Sequence, residues 1–257
     1  MGKRWYQETY RRLLLDMHID DWDSRFLSTY DPQQFVDSVL RTNARTVTIP
    51  ANGHTGLCYW PTRVGKEHET VKGKDIMGRT IELLHQHGLN VIVYYCTIYC
   101  DWYWEQHPEA RIVDATGQSP HLLMNSVGNP RRFSVSCLNY VPYREFVVAQ
   151  LEELCRGYDF EGMWPDMTFW PTVCYCQSCQ QRYSAEVGGE IPRVIDWSDP
   201  VWVRFQRQRE AWVRDFCHLV TSTIKRAKPQ ATVAHVYGRL AIWRFGCAIP
   251  GNGLAVV

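Results

Sequence analysis

Short apolar runs alternate along the chain with longer segments of helical period, the pattern of repeated strand-helix units around a parallel sheet. Five such units can be read. The first strand, RLLLDMHI, ends near His18, and Asp31-Pro32 then supplies an N-cap and a first-turn proline for a helix whose apolar face is Phe35, Val36, Val39 and Leu40. RTVTIPA, from Arg45 to Ala51, is the second strand. A helix carrying Ile76, Ile81 and Leu84 stops at Gly88, a good C-terminal glycine, and leads into NVIVYYC as the third. The connection from Thr97 to Tyr140 is too long to be idle in a compact domain and is expected to form part of a site or lid. A helix from about Tyr143 to Arg156 ends at Gly157, and YDFEGMWPD follows as the fourth strand, with Asp166 at its C-terminal end. Asp199-Pro200 opens a long helix with Phe205, Trp212, Phe216, Leu219 and Val220 on one stripe, before ATVAHVY as the fifth strand.

The remaining stretch, RLAIWRFGCAIPGNGLAVV, is too short for another unit. The expected fold is therefore α/β, either an open sheet or a (β/α)8 TIM barrel truncated after about five strand-helix units. No low-complexity linker divides the sequence, so residues 1–257 are read as a single partial barrel domain.

Composition narrows the partners. Lysine plus arginine (28) nearly balances aspartate plus glutamate (27), which removes the global field that would draw in nucleic acid or an anionic membrane. The partner is expected to be small or uncharged. Eleven tryptophans and fourteen tyrosines serve either as core filling or as stacking platforms for flat, weakly polar ligands such as sugars. The N-terminal segment has only a three-leucine apolar run and no stretch of 18 apolar residues occurs, which favours a cytoplasmic reading. Ten cysteines would stay reduced there, so a tight cluster of them points to a metal before disulfides.

Parallel α/β folds bind ligands at the carboxyl ends of their strands. Those ends carry His18 with Asp20 or Asp21, Asn52 and His54, Tyr94 and Tyr95, Asp166, and His235 and Tyr237. Asp166, between Trp164 and Trp170, has the surroundings of a nucleophile for an anomeric carbon, the rings excluding water and receiving the apolar face of a sugar. The alternative is an aspartate that caps the following segment. Cys174, Cys176 and Cys179 can wrap one ion from a single loop, and a tetrahedral zinc would need a fourth ligand.

HTGLCYWPT, His54 to Thr62, resembles the His-Asp-Gly-Phe-x-x-Trp segment of the α-L-fucosidase family of retaining glycosidases, with His54, Gly56 and Trp60 in register. KGKDIMGRTIELLHQHGLNVIVYY is similar to that family's next helix and strand, and MWPDM to its nucleophile segment. The resemblance implies a (β/α)8 barrel, Asp166 as nucleophile, and His18, His54, Trp60 and Tyr95 as sugar contacts. Asn52, Trp164 and His235 join them as strand-end candidates for substrate binding. The family's paired histidines are Gly53 and His54 here, and Thr55 replaces its acidic residue, so fucose specificity does not carry over directly.

RRFSVSCLNYVPYREFV resembles the Arg-Arg-x3-Cys-x-Asn-x3-Tyr-Arg segment of a microbial β-galactosidase family that carries a four-cysteine zinc cluster beside its barrel mouth. That likeness nominates Cys137 as the fourth ligand beside Cys174, Cys176 and Cys179. A closed four-sulfur site would be structural, leaving catalysis without a cofactor. The Asn-Glu pair of that family is absent at the fourth strand, where Pro165-Asp166 stands.

The expected function is hydrolysis of O-glycosidic bonds by a retaining, α-L-fucosidase-like enzyme acting on a carbohydrate. Asp101, Glu105 and Asp23 are local candidates for the acid. Three other readings remain at this level: a truncated or inactive carbohydrate-binding barrel, a β-galactosidase-like hydrolase, and a zinc hydrolase ligated by His18, His54 and Asp166. The unpaired edge of an incomplete parallel sheet favours self-association into a homo-oligomer.

Overall fold

The computed structural model describes residues 4–119 and 133–235. Arg131, Arg132, Tyr237 and the stretch from Arg239 lie outside them. A one-turn helix α1 (Trp5–Glu8) precedes β1 (Arg12–Leu14). Then come α2 (Pro32–Arg41), β2 (Thr46–Pro50), the short strands β3 (Leu57–Cys58) and β4 (Lys66–Glu67), α3 (Ile76–Gln86) and β5 (Asn90–Cys96). The second half runs α4 (Asp101–Gln106), α5 (Val141–Gly157), β6 (Gly162–Asp166), α6 (Gln177–Glu186), α7 (Pro200–Ala227) and β7 (Thr232–Val233).

Five strands form one parallel sheet in the order β1-β2-β5-β6-β7, and β3 pairs with β4 apart from it. Each sheet strand lies beside the next one in the chain because a helix covers the return, the arrangement of the right-handed strand-helix-strand crossover. The predicted caps Asp31 and Asp199 are in place, and Asp75 adds one that the sequence reading did not name. The Asp31 carboxylate accepts the Gln34 N–H at 3.0 Å, Asp75 accepts Gly78 at 2.8 Å, and Asp199 accepts Val201 at 2.8 Å. Gly88 takes φ +69°, the left-handed turn that releases the chain from α3 into β5.

Three helices are absent from the sequence-based reading, and all are short: the single turn of α1, α4 and α6. α4 starts the long connection after β5, and α6 starts inside the cysteine triplet, where its polar sequence gives almost no apolar stripe.

The two faces of the sheet differ. Val47, Ile49, Val91, Val93, Met163 and Val233 point to the helices and are almost fully buried. The opposite face, the one that lines the interior of a closed barrel, carries Leu14 (44% exposed) and the half-buried Ile92, Trp164, Thr232 and Ala234. Period-2 alternation decides which strand residues look into this open concavity and which look into the helix layer. Among the described residues no helix is long and apolar enough to cross a membrane.

Candidate active site

Asp166 ends β6, and its partner in register is Cys96 on β5; Trp164 pairs with Tyr94 in the same way. All four therefore share the inner face. The Tyr94 hydroxyl donates to Asp166 Oδ2 at 2.7 Å, and burial pushes the phenol well up, so Tyr94 stays protonated and acts as a donor. Burial also raises the Asp166 carboxyl, against the hydrogen bonds from Tyr94 and the Met167 N–H and the field of the His18 ring. Met167 sits at φ +58°, a left-handed conformation that an unbranched side chain tolerates at a cost of about 1–2 kcal/mol. That turn brings its N–H back toward the carboxylate it follows. The Asp166 carbonyl is fixed from the other side by the Thr97 N–H at 3.1 Å and the Thr97 hydroxyl at 2.7 Å.

The end of β1 leans over this carboxyl. His18 lies 5.9 Å from the Tyr94 ring and 4.4 Å from His54, centroid to centroid. The His54 N–H donates to His18 Nδ1 at 3.2 Å, which leaves the proton of the neutral imidazole on Nε2, 2.8 Å from Asp16 Oδ1. His54 itself stacks on Phe133 at 4.4 Å. Gly53 is what allows the approach: a β-carbon there would meet His18 Nδ1 and the Met17 carbonyl, both at 2.8 Å. The glycine that departs from the fucosidase pattern makes room for the neighbouring histidine. Trp164 packs edge-on against Tyr94 at 6.0 Å and presents the half-buried ring beside Asp166.

Four expected sugar contacts are placed elsewhere. Tyr95, one residue from Tyr94, points to the opposite face and donates to Gln150 of α5 at 2.7 Å, so Tyr94 takes the place predicted for it. Trp60 is 1% exposed, and its indole N–H donates to Glu153 of α5 at 3.0 Å, outside the concavity. Asn52 is buried, its side-chain carbonyl accepting the Cys96 N–H at 2.8 Å, a tie between the ends of β2 and β5. His235 faces α7, with Nε2 2.8 Å from the Thr221 hydroxyl and Nδ1 3.1 Å from that of Thr168; burial holds it down at about 4, a neutral side chain of the helix layer. Of the acid candidates, Asp23 is paired with Arg25. Asp101 accepts the Ser134 N–H at 2.8 Å and is pushed up to about 7 by burial, while Glu105 lies exposed on α4.

The sulfurs of Cys137, Cys174, Cys176 and Cys179 converge, all buried and within 4.8 Å of one another. Cys137 comes from the end of the long connection, Cys174 and Cys176 from the loop after β6, and Cys179 from the first turn of α6. The Cys137–Cys179 and Cys137–Cys176 separations are 3.4 and 3.5 Å, near the ~3.8 Å that four sulfurs about 2.3 Å from one tetrahedral zinc would keep. The Asn139 N–H donates to Cys137 Sγ and its side-chain amide to Cys179 Sγ, each at 3.4 Å, and Arg182 holds that amide's oxygen at 2.9 Å. Its thiol neighbours, Cys137 first, hold Cys176 far down as a thiolate, while burial raises Cys137 and Cys179. A buried, all-sulfur donor set of this kind could bind a soft metal ion.

Sequence reasoning passed over Asp16, Asn139 and Met167. Only Asn139 left a signal, the Cys-x-Asn spacing after Cys137.

The fold is similar to that of α-L-fucosidase isoenzyme 2 from Paenibacillus thiaminolyticus (TM-score 0.75, 22% identity, 92% of this chain and 34% of that one). It is also similar to the PgaB (BpsB) glycoside hydrolase domain from Bordetella bronchiseptica (0.63, 14%, 89% and 65%). A β-galactosidase from the haloarchaeon Halorubrum lacusprofundi follows (0.56, 18%, 87% and 36%). At these identities the likeness is one of fold, and the chain spans about a third of the length of the fucosidase and the β-galactosidase. No curated protein matches the sequence. The family model for hypothetical glycosyl hydrolase 6 matches residues 31–167, from the cap of α2 past the end of β6, and with more than half of its length inside that match the chain belongs to this glycosyl hydrolase family.

Proposed function

We propose that the chain acts on carbohydrate as a retaining, α-L-fucosidase-like glycoside hydrolase with Asp166 as nucleophile. The observation that carries this reading is the Asp166 carboxyl at a strand end, held by Tyr94 and the Met167 N–H and within the field of His18, on a sheet face that stays open to a ligand. Ionised, it would attack the anomeric carbon as the glycosidic C–O bond breaks, and water would later cleave the glycosyl ester. Trp164 offers an apolar ring to the sugar, while His18, steadied by His54, packs beside the Tyr94 ring whose hydroxyl holds Asp166. Cys137, Cys174, Cys176 and Cys179 would hold a structural zinc, whose bonds to sulfur would tie the loop after Asp166 to the end of the long connection.

The fold likeness to a fucosidase and a β-galactosidase selects the first probes. Turnover of aryl α-L-fucoside and aryl β-D-galactoside should be measured for the wild type and Asp166→Asn. Loss of at least a thousandfold in the variant is expected, with a trapped 2-fluoroglycosyl ester on Asp166 in the wild type. Equal rates in the two proteins would remove Asp166 from the chemistry.

A further inference from the structure

We propose that Arg182 governs how tightly the four-cysteine centre holds its metal, by fixing the side-chain amide of Asn139 against Cys179; this rests on the structural-zinc reading above. Four thiolates about one divalent ion keep lone pairs that the metal bonds do not use, and N–H donors turned toward them hold such sulfurs in place. Asn139 supplies two, its backbone N–H to Cys137 Sγ and its side-chain amide to Cys179 Sγ, each at 3.4 Å. The second is conditional. An asparagine amide has a donor edge and an acceptor edge of nearly the same shape, and a half-turn would set the acceptor Oδ1 against the sulfur.

Arg182 removes that choice. Its Nη1 lies 2.9 Å from Asn139 Oδ1, and a guanidinium has donors only, so the amide turns its oxygen to Arg182 and its N–H to Cys179. The helix supplies the spacing: Arg182 follows Cys179 by three residues on α6, which sets the two side chains on one face a turn apart. The guanidinium is held at its other nitrogens, Nε by Glu186 Oε1 at 2.8 Å and Nη2 by Asp215 Oδ2 at 3.1 Å. Both carboxylates are tied to α7: Glu186 also accepts the Trp212 indole N–H at 2.6 Å, and Asp215 belongs to that helix. Asp215 pairs as well with Arg144 Nη2 of α5 at 3.0 Å, and Arg144 Nη1 donates to the Leu138 carbonyl at 3.2 Å, between Cys137 and Asn139. The segment 137–139 is thus fastened by arginines from α5 and α6 that share one carboxylate on α7. Metal binding and the docking of α7 therefore support each other through this bridge.

The test is metal retention in the full chain, read with zinc against a competing chelator and with cobalt(II), whose sulfur-to-metal charge-transfer band reports a four-thiolate site. Arg182→Met should weaken zinc binding by about 10–100-fold. The double variant Arg182→Met/Asn139→Ala should be no weaker than Asn139→Ala alone to within about threefold, since both changes break the same bond. At saturating cobalt the band of Arg182→Met should match that of the wild type, its sulfurs still converging. Asn139→Asp separates orientation from fold: its carboxylate pairs with Arg182 and turns an acceptor to Cys179, so the metal-free urea midpoint should hold while zinc affinity falls by about tenfold or more. Wild-type zinc affinity in Arg182→Met or Asn139→Asp, losses that multiply in the double variant, or a missing band in Arg182→Met at saturating cobalt would each overturn the assignment to Arg182 alone. A wild type that binds neither metal would remove the zinc reading along with it.

Discussion

Removing the Tyr94 hydroxyl should move the ionisation of Asp166 upward by a measurable amount. The 2.7 Å bond is made to a carboxylate with most of its surface out of water, where a hydrogen bond to a charged acceptor contributes about 1.5–3 kcal/mol. One unit of pKa corresponds to about 1.4 kcal/mol, so Tyr94→Phe should raise Asp166 by roughly 1–2 units beyond the level that burial already sets. The readout is the ¹³C chemical shift of aspartate carboxyls against pH, with Asp166 identified by the resonance lost in Asp166→Asn. Stability changes in the same sense. A carboxyl raised in the folded state contributes stability below its unfolded value of 3.8, and that contribution is lost as pH rises through the folded value. The variant extends the loss to higher pH, so its deficit against wild type should be larger at pH 7 than at pH 3. An Asp166 midpoint that stays put or falls in Tyr94→Phe would show that the phenol does not serve the ionised form of this carboxyl.

Four further outcomes follow from particular contacts. His235, lowered from 6.5 to about 4, gives stability that is full above its unfolded value and lost as pH falls from about 6.5 to 4. The loss is about 3 kcal/mol by linkage, and urea melts of wild type and His235→Gln should converge across that window. Gly53→Ala forces a β-carbon against His18 and the Met17 carbonyl, so it should cost about 1–3 kcal/mol in a denaturant melt and displace the His18 ring resonances. Zinc should be found at one equivalent per chain by elemental analysis and be lost in Cys176→Ser, and Asn139→Ala should weaken its retention against a chelator by about 10–100-fold. Glu153 accepts from Trp60, Thr62 and the Arg63 N–H at 3.0, 2.6 and 2.8 Å; Glu153→Ala, which strands the buried indole donor, should lower stability by about 2–4 kcal/mol in urea.

The five-strand order could be read from the sequence because each strand is an apolar run and the long helices begin at an Asp cap (α2, α3 and α7) or with a first-turn proline (α5), local signals that need no tertiary knowledge. α6 escaped because its polar sequence gives no stripe, and the cysteines on either side of its start read as a loop. The choice between Tyr94 and Tyr95 escaped for another reason. Both are almost fully buried aromatic residues near one strand end, and only the register Cys96 to Asp166 says which of the two shares a face with the carboxylate. Trp60 was misplaced by likeness. Its segment matches a sugar-binding motif, yet its indole is spent on Glu153, ninety-three residues away, a partner invisible to any local pattern.

The site draws on both kinds of information, and its chemistry depends on where they meet. The alternation that buries Val91, Val93 and Met163 against helices leaves Ile92, Trp164 and Thr232 half-buried on the inner face, so that face keeps access for a ligand while Asp166 sinks at its edge. A carboxyl in that position is raised by desolvation and recovers charge through Tyr94, Met167 and His18, two of which arrive from other segments of the chain. Asp16, on the solvated side of the same imidazole, meets the opposite conditions: exposed and anchored by one hydrogen bond. Two carboxyls of one type therefore sit in unlike surroundings about a shared histidine, one desolvated at the strand end and one in water, and burial sets the difference between them.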